Sequence, residues 1–470
     1  MSGLFSSLNN SIQALSAQSR AVEIAGKNLA NVNNPGYSRQ SVLLGSLGTV
    51  MTAQGPESMG VTVLAIQQMR DALLDQQVTR ETSLTAGYSA EQQGYQRAES
   101  ALGESVDSTQ STSGASSTNA NGVGAALDDF FNSFQSFAAN PTDPGTRQTL
   151  LQNASILTDR LQLADQRLSQ VSSDLNTQIS TDVGSTNRLL ATVADLNSQI
   201  ARFEINNPGS AVDLRDQRQS VLEQLAAKLP VTVQTAANGT VSLMAKDGSG
   251  GNVTLVNGSN VLGTVAFTGT TITAGSPATV IAPTGGSIQG ALTARDGAVK
   301  TIRDNLDQLA AQLVTSVNAA YNPTGTTGNF FAPAGTTAGT ISIASGVTST
   351  SLKASDGGAA GDNTVALAVA ALANQSFSTA GGDAITGTFT GFFSNAVSSL
   401  GQAVAGATAR VNDQTNIEQL VKNQRDGVSG VSLDEETANL LKYQRAFQAS
   451  SRVFNTIDTL LDTVVNHLGA

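Results

Sequence analysis

The feature of this sequence that most constrains its fold is a row of apolar residues near the C-terminal end. Every seventh residue there is leucine or phenylalanine, and the row consists of Leu433, Leu440, Phe447, Phe454, Leu461 and Leu468. A second row lies three residues further on and consists of Tyr443, Ser450, Ile457 and Val464. Residues three and four apart share one face of an α-helix, so this spacing predicts a coiled-coil seam. One helix cannot bury such a stripe by itself, and the sequence therefore predicts a partner helix.

The residues before the seam predict where its helix begins. Ser432 and Glu435 stand at the spacing of a capping box, in which side chains satisfy free backbone N–H groups. Asp434 and Glu436 add negative charge at the end of the helix where the helix dipole favours it. Consecutive carboxylates could also serve as an acid and a base in catalysis, but on one first turn we interpret them as capping charge.

The N-terminal end carries the pattern of a second amphipathic helix. Its apolar residues are Leu4, Phe5, Leu8, Ile12, Leu15, Val22 and Leu29. We expect the two end helices to pack on each other within a subunit, while their remaining faces contact neighbouring subunits. The first helix must end before Pro35, because a residue that precedes proline avoids helical backbone angles. Asn34, Pro35, Gly36 and Tyr37 then form a predicted turn, which is a candidate subunit-contact corner.

Composition excludes several classes of function. The chain of 470 residues contains no cysteine, so disulfides, cysteine nucleophiles and cysteine-ligated zinc or iron–sulfur sites are excluded. Its single histidine, His467, lies in the last turn of the last predicted helix, where we interpret it as a surface residue. We therefore predict that the chain is not an enzyme and has no catalytic, metal-binding or cofactor-binding residues.

The charge balance argues against nucleic acid and membranes as partners. Acidic residues outnumber basic ones by 36 to 25, which gives a net charge of −11. No apolar run approaches the roughly 20 residues that a membrane helix requires. The N-terminal sequence lacks the basic and apolar regions of a secretory signal peptide, so we expect any export to use a route without a cleaved signal.

Helical patterns also dominate the middle of the chain. The sequence predicts a glutamine-rich helix over residues 66–101 and a polar loop over 108–124. Further helices are predicted over 292–321 and from about residue 392 onward. The helix after the polar loop has an apolar face, which we interpret as core and not as a ligand pocket. That face consists of Leu127, Phe130, Phe131, Phe134 and Phe137.

A long helix is predicted in the same region. Asp143 and Pro144 mark its start as capping residue and first-turn residue. Apolar residues recur at heptad spacing from Leu161 to Phe203, with one break at Asp182. These patterns together predict a rod-like helical domain.

β-Structure is predicted in two stretches that interrupt the helices. Over residues 231–285, short runs rich in valine and threonine alternate with pairs that favour hairpin turns. The pairs are Asn238-Gly239, Asp247-Gly248 and Asn257-Gly258. The loop at Asp247 resembles a calcium loop, but its twelfth position is Gly258 and not the required glutamate, so we predict a hairpin turn. Residues 323–390, rich in glycine, threonine and serine, are grouped with this β-rich part.

These patterns predict an α+β multidomain protein. A terminal coiled-coil domain combines residues 1–45 with 428–470. A helical rod domain combines residues 46–230 with 286–322 and 391–427. One or two β-rich outer domains combine residues 231–285 with 323–390.

Several stretches resemble bacterial flagellar proteins. The N-terminal NLANVNNPGYSRQ and the C-terminal SGVSLDEETANLLKYQRAFQASSRVFNTIDTLLDTVVN resemble the paired end motifs of flagellar rod, hook and hook-associated proteins. Internal stretches resemble the family of hook-associated protein 1, the hook–filament junction protein. They are ALDDFFNSFQSFAANPTDPGTRQTLLQNA, DLRDQRQSVLEQLA, GALTARDGAVKTIRDNLDQLAAQLVTSVNAAYN and GNFF. The β-rich stretches lack matching motifs, and there the chain looks short for the family.

The resemblance implies a structural axial protein of the flagellum that lies outside the cell and is exported by the flagellar type III apparatus. It implies self-assembly into a helical layer, with the hook protein on one side and the next hook-associated protein or the filament on the other. It also implies an export chaperone that holds the C-terminal helix. The apolar residues of the two end helices and the corner between them would carry the subunit contacts.

Other functions are weighed beside this one. Another axial protein, of the hook or rod, would share the end motifs. A surface adhesin or carbohydrate-binding module on a helical stalk would use the β-rich part, but Phe267 is the only aromatic residue between Val231 and Gly285. Sugar-binding platforms usually need exposed tryptophan or tyrosine, which disfavours adhesion. A hydrolase would need clustered carboxylates in the β-rich part, and the sequence has no such motif.

Overall fold

A computed structural model of the chain describes residues 2–34, 36–52, 55–103, 122–325, 328–357 and 361–464. Contacts divide the chain into two compact units, each built from segments that are far apart in sequence. The first unit comprises Met1–Thr85, Val183–Gly286 and Gln414–Ala470. The second unit comprises Ala86–Asp182 and Ser287–Asp413. These bounds differ from the predicted three-part division, because the two stretches predicted to be β-rich fall into different units.

Helices make up most of the described residues, and the predicted α+β multidomain class is confirmed. The α-helices are α1 (Ser2–Ala30), α2 (Ala72–Leu102), α3 (Val123–Ala139), α4 (Pro144–Phe203), α5 (Val212–Lys228), α6 (Gly286–Ala294), α7 (Lys300–Tyr321), α8 (Thr364–Ala371), α9 (Phe389–Ser429) and α10 (Leu433–Asp462). A π-helical turn, Arg295–Val299, joins α6 to α7. Short 3-10 turns cover Leu372–Asn374 and Thr379–Gly381.

The strands all belong to the first unit. They are β1 (Gln40–Ser46), β2 (Thr49–Thr52), β3 (Gly55–Ser58), β4 (Val61–Gln68), β5 (Thr232–Thr235), β6 (Val241–Lys246), β7 (Asn252–Asn257), β8 (Asn260–Val261), β9 (Val265–Phe267), β10 (Ile272–Ala274) and β11 (Thr279–Ile281). All the paired strands are antiparallel, in the orders β1-β4, β2-β3, β5-β6-β7-β8 and β11-β10-β9.

The ribbon over residues 40–68 is absent from the sequence-based prediction. β1 pairs with β4 along its whole length, and Val42 lies opposite Ile66. The helix predicted from residue 66 therefore starts too early, since α2 begins at Ala72. The segment over 61–66 is rich in the β-branched residues that favour strands, but it is short and runs directly into a helical pattern.

The hairpins predicted after residue 231 are confirmed. The three predicted turn pairs connect β5, β6, β7 and β8 in one sheet, and Gly239 and Gly258 both have the positive φ that such turns require. At the second turn, Asp247 Oδ1 accepts hydrogen bonds from the backbone N–H of Ser249 and of Gly251. This carboxylate therefore stabilises the hairpin, as predicted.

The second unit has an aromatic core. Phe130 and Phe134 of α3 are fully buried, with ring centroids 5.2 Å apart, and Phe330 lies 5.2 Å from Phe134. Tyr321, at the end of α7, adds a ring 5.4 Å from Phe330. Edge-to-face and tilted rings at these distances pack favourably. The interpretation of the phenylalanine row as core is confirmed.

The expectation of β-structure over residues 323–390 is wrong in the residues that the structure describes there. This stretch contains α8 and two 3-10 turns, and its β-pairing is limited to isolated bridges such as Phe331 with Ile343. Its threonine and serine side chains bond to nearby turns, as in the contact of Thr348 N with Ser351 Oγ at 2.7 Å. Side chains of this kind offer the backbone local partners in place of a strand ladder.

Candidate assembly surface

The two end helices pair within the first unit, as the sequence predicts. α1 packs along α10, and the C-terminal part of α1 lies beside the start of α10, so the helices are antiparallel. α10 begins as predicted, because the side chain of Ser432 accepts a hydrogen bond from the N–H of Glu435. α1 ends at Ala30, well before the predicted corner.

The buried face of α1 differs from the apolar row predicted to form its seam. Its buried apolar residues are Ala17, Ala21, Ile24 and Ala25. The predicted residues Leu4, Leu8, Leu15, Val22 and Leu29 are only half-buried. The buried face of α1 is thus formed mainly by small residues, and the larger side chains lie at its margin. Sequence periodicity identified the helix but not which of its faces is buried.

The predicted row of α10 is partly covered by this pairing. Leu461 is buried, and the half-buried members are Leu440, Tyr443, Phe454, Ile457 and Val464. Four predicted contact residues remain exposed, namely Phe5, Ile12, Leu433 and Phe447. Phe5 exposes 56% of its surface and Leu433 exposes 55%. Two further members of the predicted set, Pro35 and Leu468, lie outside the described residues.

The exposed apolar side chains are more numerous than the sequence rows indicated. Leu441, Val453 and Leu460 of α10 are also about half exposed. Val453 and Leu460 are seven residues apart and so share a stripe beside the predicted seam. The helix pair therefore presents apolar surface that its own unit leaves open, which is a feature of surfaces that bind other proteins.

A buried asparagine holds the corner between α1 and β1. Asn28, which is 1% exposed, donates from Nδ2 to the backbone oxygen of Gln40 at 2.8 Å and to Glu436 Oε2 at 2.9 Å. Its Oδ1 accepts from the Tyr37 hydroxyl at 2.7 Å and from the Gln40 N–H at 3.0 Å. All four hydrogen-bonding positions of the amide are thus satisfied inside the protein. This contact joins α1, the corner and α10.

Glu436 is the centre of the same contact. Its side chain is 3% exposed, and its Oε1 accepts from Arg39 Nε at 2.8 Å. Arg39 also reaches the exposed carboxylate of Glu435 at 2.7 Å. A buried carboxylate is tolerated only when it is paired and hydrogen-bonded, and Glu436 meets both conditions. The earlier interpretation of Glu436 as capping charge is therefore incomplete.

A second ion pair ties α1 to α5. Lys27 Nζ lies 2.7 Å from Asp213, and Gln40 Nε2 donates to the same carboxylate at 2.9 Å. Burial acts to raise the pKa of Asp213, but the hydrogen bonds from Lys27 and Gln40 outweigh it, and the pKa is lowered. Asp213 is therefore held in its charged form beside the corner.

A third set of charges lies behind the corner. The backbone N–H of Ser38 and the guanidinium of Arg70 both face Asp216. Burial raises the pKa of Asp216 to about 6, because Arg70 and Ser38 only partly offset the loss of solvent. Burial also raises the pKa of Asp75, which lies 3.5 Å from the same arginine. Arg70 thus pairs with two buried carboxylates, those of Asp75 and Asp216.

The corner tyrosine is enclosed by these acids. Tyr37 is half-buried, and burial followed by the charges of Asp213, Asp216 and Glu436 raises the pKa of its hydroxyl above the ordinary range. The hydroxyl therefore stays protonated and acts as a hydrogen-bond donor to Asn28. The predicted turn residues Asn34 and Gly36 are near it, and Asn34 Oδ1 accepts from the Gly36 N–H at 3.3 Å.

The buried polar contacts of the corner hold the two end helices together. Among the described residues, no group of three or more His, Cys, Asp or Glu side chains is placed to hold a metal ion. In the same part of the chain, no helix is both long and apolar enough to cross a membrane.

Comparisons with known proteins match this chain at both ends and in the middle. A family model described as the flagellar hook-associated protein FlgK helical domain matches residues 109–331. A flagella basal body rod protein model matches residues 8–37, and a flagellar basal body rod FlgEFG protein C-terminal model matches residues 424–467. Flagellar hook-associated protein 1 of Bacillus subtilis (strain 168) is 25% identical over 530 residues, covering 100% of this chain and 99% of its own. The resemblance to the flagellar hook-associated protein 1 family is thus confirmed over the length of the chain.

Other members of the hook-associated protein 1 family match over similar lengths. The protein of Escherichia coli (strain K12) is 23% identical over 559 residues, covering 98% of this chain and 99% of its own. These alignments are longer than the 470 residues of this chain, so the relatives contain stretches without a counterpart here. A solved structure, that of the flagellar hook junction protein FlgK from Burkholderia pseudomallei, matches at 24% identity with a TM-score of 0.46, over 55% of this chain and 46% of that one.

The two end matches fall on the elements that the buried corner joins. Residues 8–37 cover most of α1 and reach Tyr37, and residues 424–467 include the start of α10 with Glu436. In this chain, the Asn28–Glu436 hydrogen bond links the two matched segments across 408 positions of sequence.

Proposed function

We propose that this chain is a structural axial protein of the bacterial flagellum that assembles at the hook–filament junction and adapts the hook to the filament. The observation that carries the proposal is the pair of end helices, which belongs to the matched end segments and presents uncovered apolar residues such as Phe5, Leu433 and Phe447. Neighbouring copies would cover these residues in a helical layer.

We also propose the partners of this layer, on the basis of the resemblance to hook-associated protein 1. We assign the hook protein to one side of the layer and the next hook-associated protein or the filament to the other. The apolar stripe of α10 would be shielded before assembly by an export chaperone, because an exposed apolar helix face promotes aggregation. We assign export to the flagellar type III apparatus, so that the protein would lie outside the cell. In this role it acts through assembly and not through catalysis.

A deletion strain tests the role at the junction. We expect intact hooks without filaments, with filament subunits released into the medium, because no adapter would join the two lattices. Normal filaments on the deletion strain would contradict a junction role. Complementation with the unaltered chain is the control for effects on neighbouring genes.

Electron microscopy tests the position of the protein along the flagellum. An antibody or gold label on this chain should mark the distal end of isolated hooks. A label along the hook or the rod would favour another axial role, and a label along the filament surface would favour the adhesin alternative. Either pattern would overturn the proposed position.

A further inference from the structure

The first unit contains a cavity whose charge is opposite to that of the whole chain. It has a volume of about 540 Å³ and lies among residues of α2, α5 and β5. Its apolar wall includes Leu84, Leu222 and Val233. A cavity of this size and composition suits a small organic molecule.

Arginine dominates the charged part of this wall. Four arginines line the cavity with a single carboxylate, that of Asp75. The arginines are Arg70, Arg80, Arg215 and Arg218. The chain as a whole has a net charge of −11, so this concentration of positive charge contrasts with the overall composition. We name this space the arginine cavity.

Three of the four arginines have carboxylate partners. Arg70 pairs with Asp75 and Asp216. Arg215 Nη2 lies 2.7 Å from Glu204, whose pKa is lowered because the hydrogen bonds from Arg215 and from two backbone N–H groups outweigh its burial. The exposed Arg80 lies 2.7 Å from its neighbour Glu81. These pairs leave little net positive charge on the three arginines.

Arg218 differs from them because the groups bonded directly to it are neutral. It is 6% exposed, and its Nη1 donates to Asn197 Oδ1 and to the backbone oxygen of Gly239, each at 2.8 Å. Both acceptors are neutral. Within the part of the chain that the structure describes, no carboxylate lies within ion-pair distance of this guanidinium, and Nε and Nη2 have no hydrogen-bond acceptor. These groups are also not sealed from solvent, so they remain available at the cavity wall.

Burial and neighbouring arginines act against the charge of Arg218. Burial, followed by the charge of Arg215, lowers the pKa of Arg218 to about 10, and the carboxylate of Glu204, which is already paired with Arg215, offsets only part of this shift. The side chain is still charged at neutral pH, and a buried charge without a counter-ion of its own is costly. A bound carboxylate would supply that counter-ion in a geometry that a guanidinium favours.

We propose that the arginine cavity binds a small organic acid, with the carboxylate on Arg218 and an apolar body against Leu222 and Val233. The bonds of Arg218 to Asn197 and Gly239 fix the guanidinium between α4, α5 and the β5–β6 turn. They account for one of its nitrogens and leave the other two for a ligand. This proposal does not depend on a role at the hook–filament junction.

Calorimetric titration with a matched pair of probes tests the site. The probes are 1-naphthoate, which has a carboxylate on an apolar body, and 1-naphthamide, which has nearly the same shape without the charge. We expect saturable binding of one naphthoate per chain and at least about tenfold weaker binding of naphthamide, as for a charge-assisted hydrogen-bonded pair. Equal affinities, or no saturable binding of naphthoate, would overturn the proposal.

Variants of the chain assign the binding to this cavity. Arg218→Gln should weaken naphthoate binding about tenfold or more and leave naphthamide nearly unchanged. The matched control is Arg202→Gln, which alters an exposed arginine of α4 and should change neither affinity. A similar loss in both variants, or none in Arg218→Gln, would contradict the assignment.

A third variant protects the test against misfolding. If Arg218→Gln fails to fold, Val233→Trp keeps the arginine and fills the apolar wall, and it should abolish binding of both probes. Retention of naphthoate affinity in a folded Val233→Trp protein would place the bound acid elsewhere and overturn the proposal.

The carboxylate that binds Arg218 could belong to a free organic acid or to a second copy of this chain. Analytical sedimentation distinguishes these two sources. An oligomer that naphthoate dissociates, and that Arg218→Gln does not form, would identify a second copy as the source of the acid. A monomer at all concentrations, together with specific naphthoate binding, would identify a free organic acid. Both outcomes support an acid-binding cavity.

Discussion

At the scale of single residues, position in the fold separates side chains that look equivalent in sequence. Glu435 and Glu436 are neighbours on the first turn of α10 and both pair with Arg39. The side chain of Glu435 is 61% exposed, whereas that of Glu436 is 3% exposed and also accepts from Asn28. Solvent screens the first pair and not the second, so the two carboxylates should differ in their contribution to stability.

Alanine substitution at these two positions tests that difference. Glu436→Ala should lower the free energy of unfolding by about 2–3 kcal/mol, because it removes the buried carboxylate to which Arg39 and one amide hydrogen of Asn28 are bonded. Glu435→Ala is the matched control and should cost no more than about 1 kcal/mol. Urea unfolding followed by circular dichroism measures both. Equal effects would show that the buried contact contributes nothing beyond capping.

The acids behind the corner predict a dependence of stability on pH. The pKa of Asp216 is raised to about 6 in the folded protein, so the folded state holds its proton over a range where the unfolded chain has lost it. Stability due to this group is therefore greatest at low pH and is lost as pH rises from about 4 to about 6. The loss amounts to at most about 3 kcal/mol.

Comparison with two asparagine variants measures this effect. Relative to Asp216→Asn, the wild-type chain should lose stability between about pH 4 and pH 7. Asp213→Asn is the control of opposite sign, because the pKa of Asp213 is lowered. The loss of stability caused by Asp213→Asn should be constant near neutral pH. It should become smaller as the solution is acidified below about pH 4. A constant difference between wild type and Asp216→Asn across the whole range would contradict the raised pKa.

At the scale of elements, α1 and α10 combine a narrow buried face with a wide half-buried margin. The buried positions described on α10 are Glu436 and Leu461. α1 contributes mainly alanines to the contact. Little apolar surface is removed from water by such a pair, so its stability depends on the buried polar corner and on neighbouring copies.

Substitution of two phenylalanines of α10 tests the pairing of the end helices and the assembly of subunits separately. Phe454 is half-buried, and Phe454→Ala should destabilise the helix pair of the monomer by about 2 kcal/mol, roughly half the cost at a fully buried site. Phe447 is 40% exposed, so Phe447→Ala should change monomer stability by less than about 0.5 kcal/mol but reduce assembly. Thermal unfolding and pelleting of assembled layers measure the two effects. Unchanged assembly in Phe447→Ala would remove this residue from the proposed contact surface.

At the scale of the whole molecule, the described residues differ in how completely they are buried. α4 contributes several fully buried leucines, among them Leu150, Leu157, Leu161 and Leu168, to the second unit. The pair of end helices has no comparable row. Local opening is easier where fewer apolar contacts must be broken.

Hydrogen exchange should therefore vary along the chain of a monomer. We expect slow amide exchange over α3 and the first part of α4, and faster exchange over α1 and over α10 beyond its first turns. Amides near Asn28 and Glu436 should exchange at intermediate rates, because the buried corner holds both helices there. Exchange followed by mass spectrometry measures these rates, and a demonstrated monomer with uniformly slow exchange at both ends would show that the helix pair is stable without neighbours.

The sequence determined the local structure wherever a pattern repeats or a cap is present. The heptad row predicted α10, Ser432 and Glu435 its start, and Asp143 with Pro144 the start of α4. The turn pairs predicted the hairpins from β5 to β8. Each of these signals lies within a few residues of chain, where backbone preference and side-chain hydrogen bonds decide the outcome.

Only the tertiary structure decided which surfaces are covered. The larger residues of α1 form a regular row, yet the alanine face is buried, because contacts with α10, β1 and β4 decide which side of α1 is covered. The burial of Glu436 depends on Asn28, 408 positions away, and no local pattern indicates it. The neutral partners of Arg218 likewise depend on the fold, which pairs Glu204 with Arg215 instead. Burial and charge pairing are properties of distant segments brought together, and a pattern of spacing contains only the preferences of each segment alone.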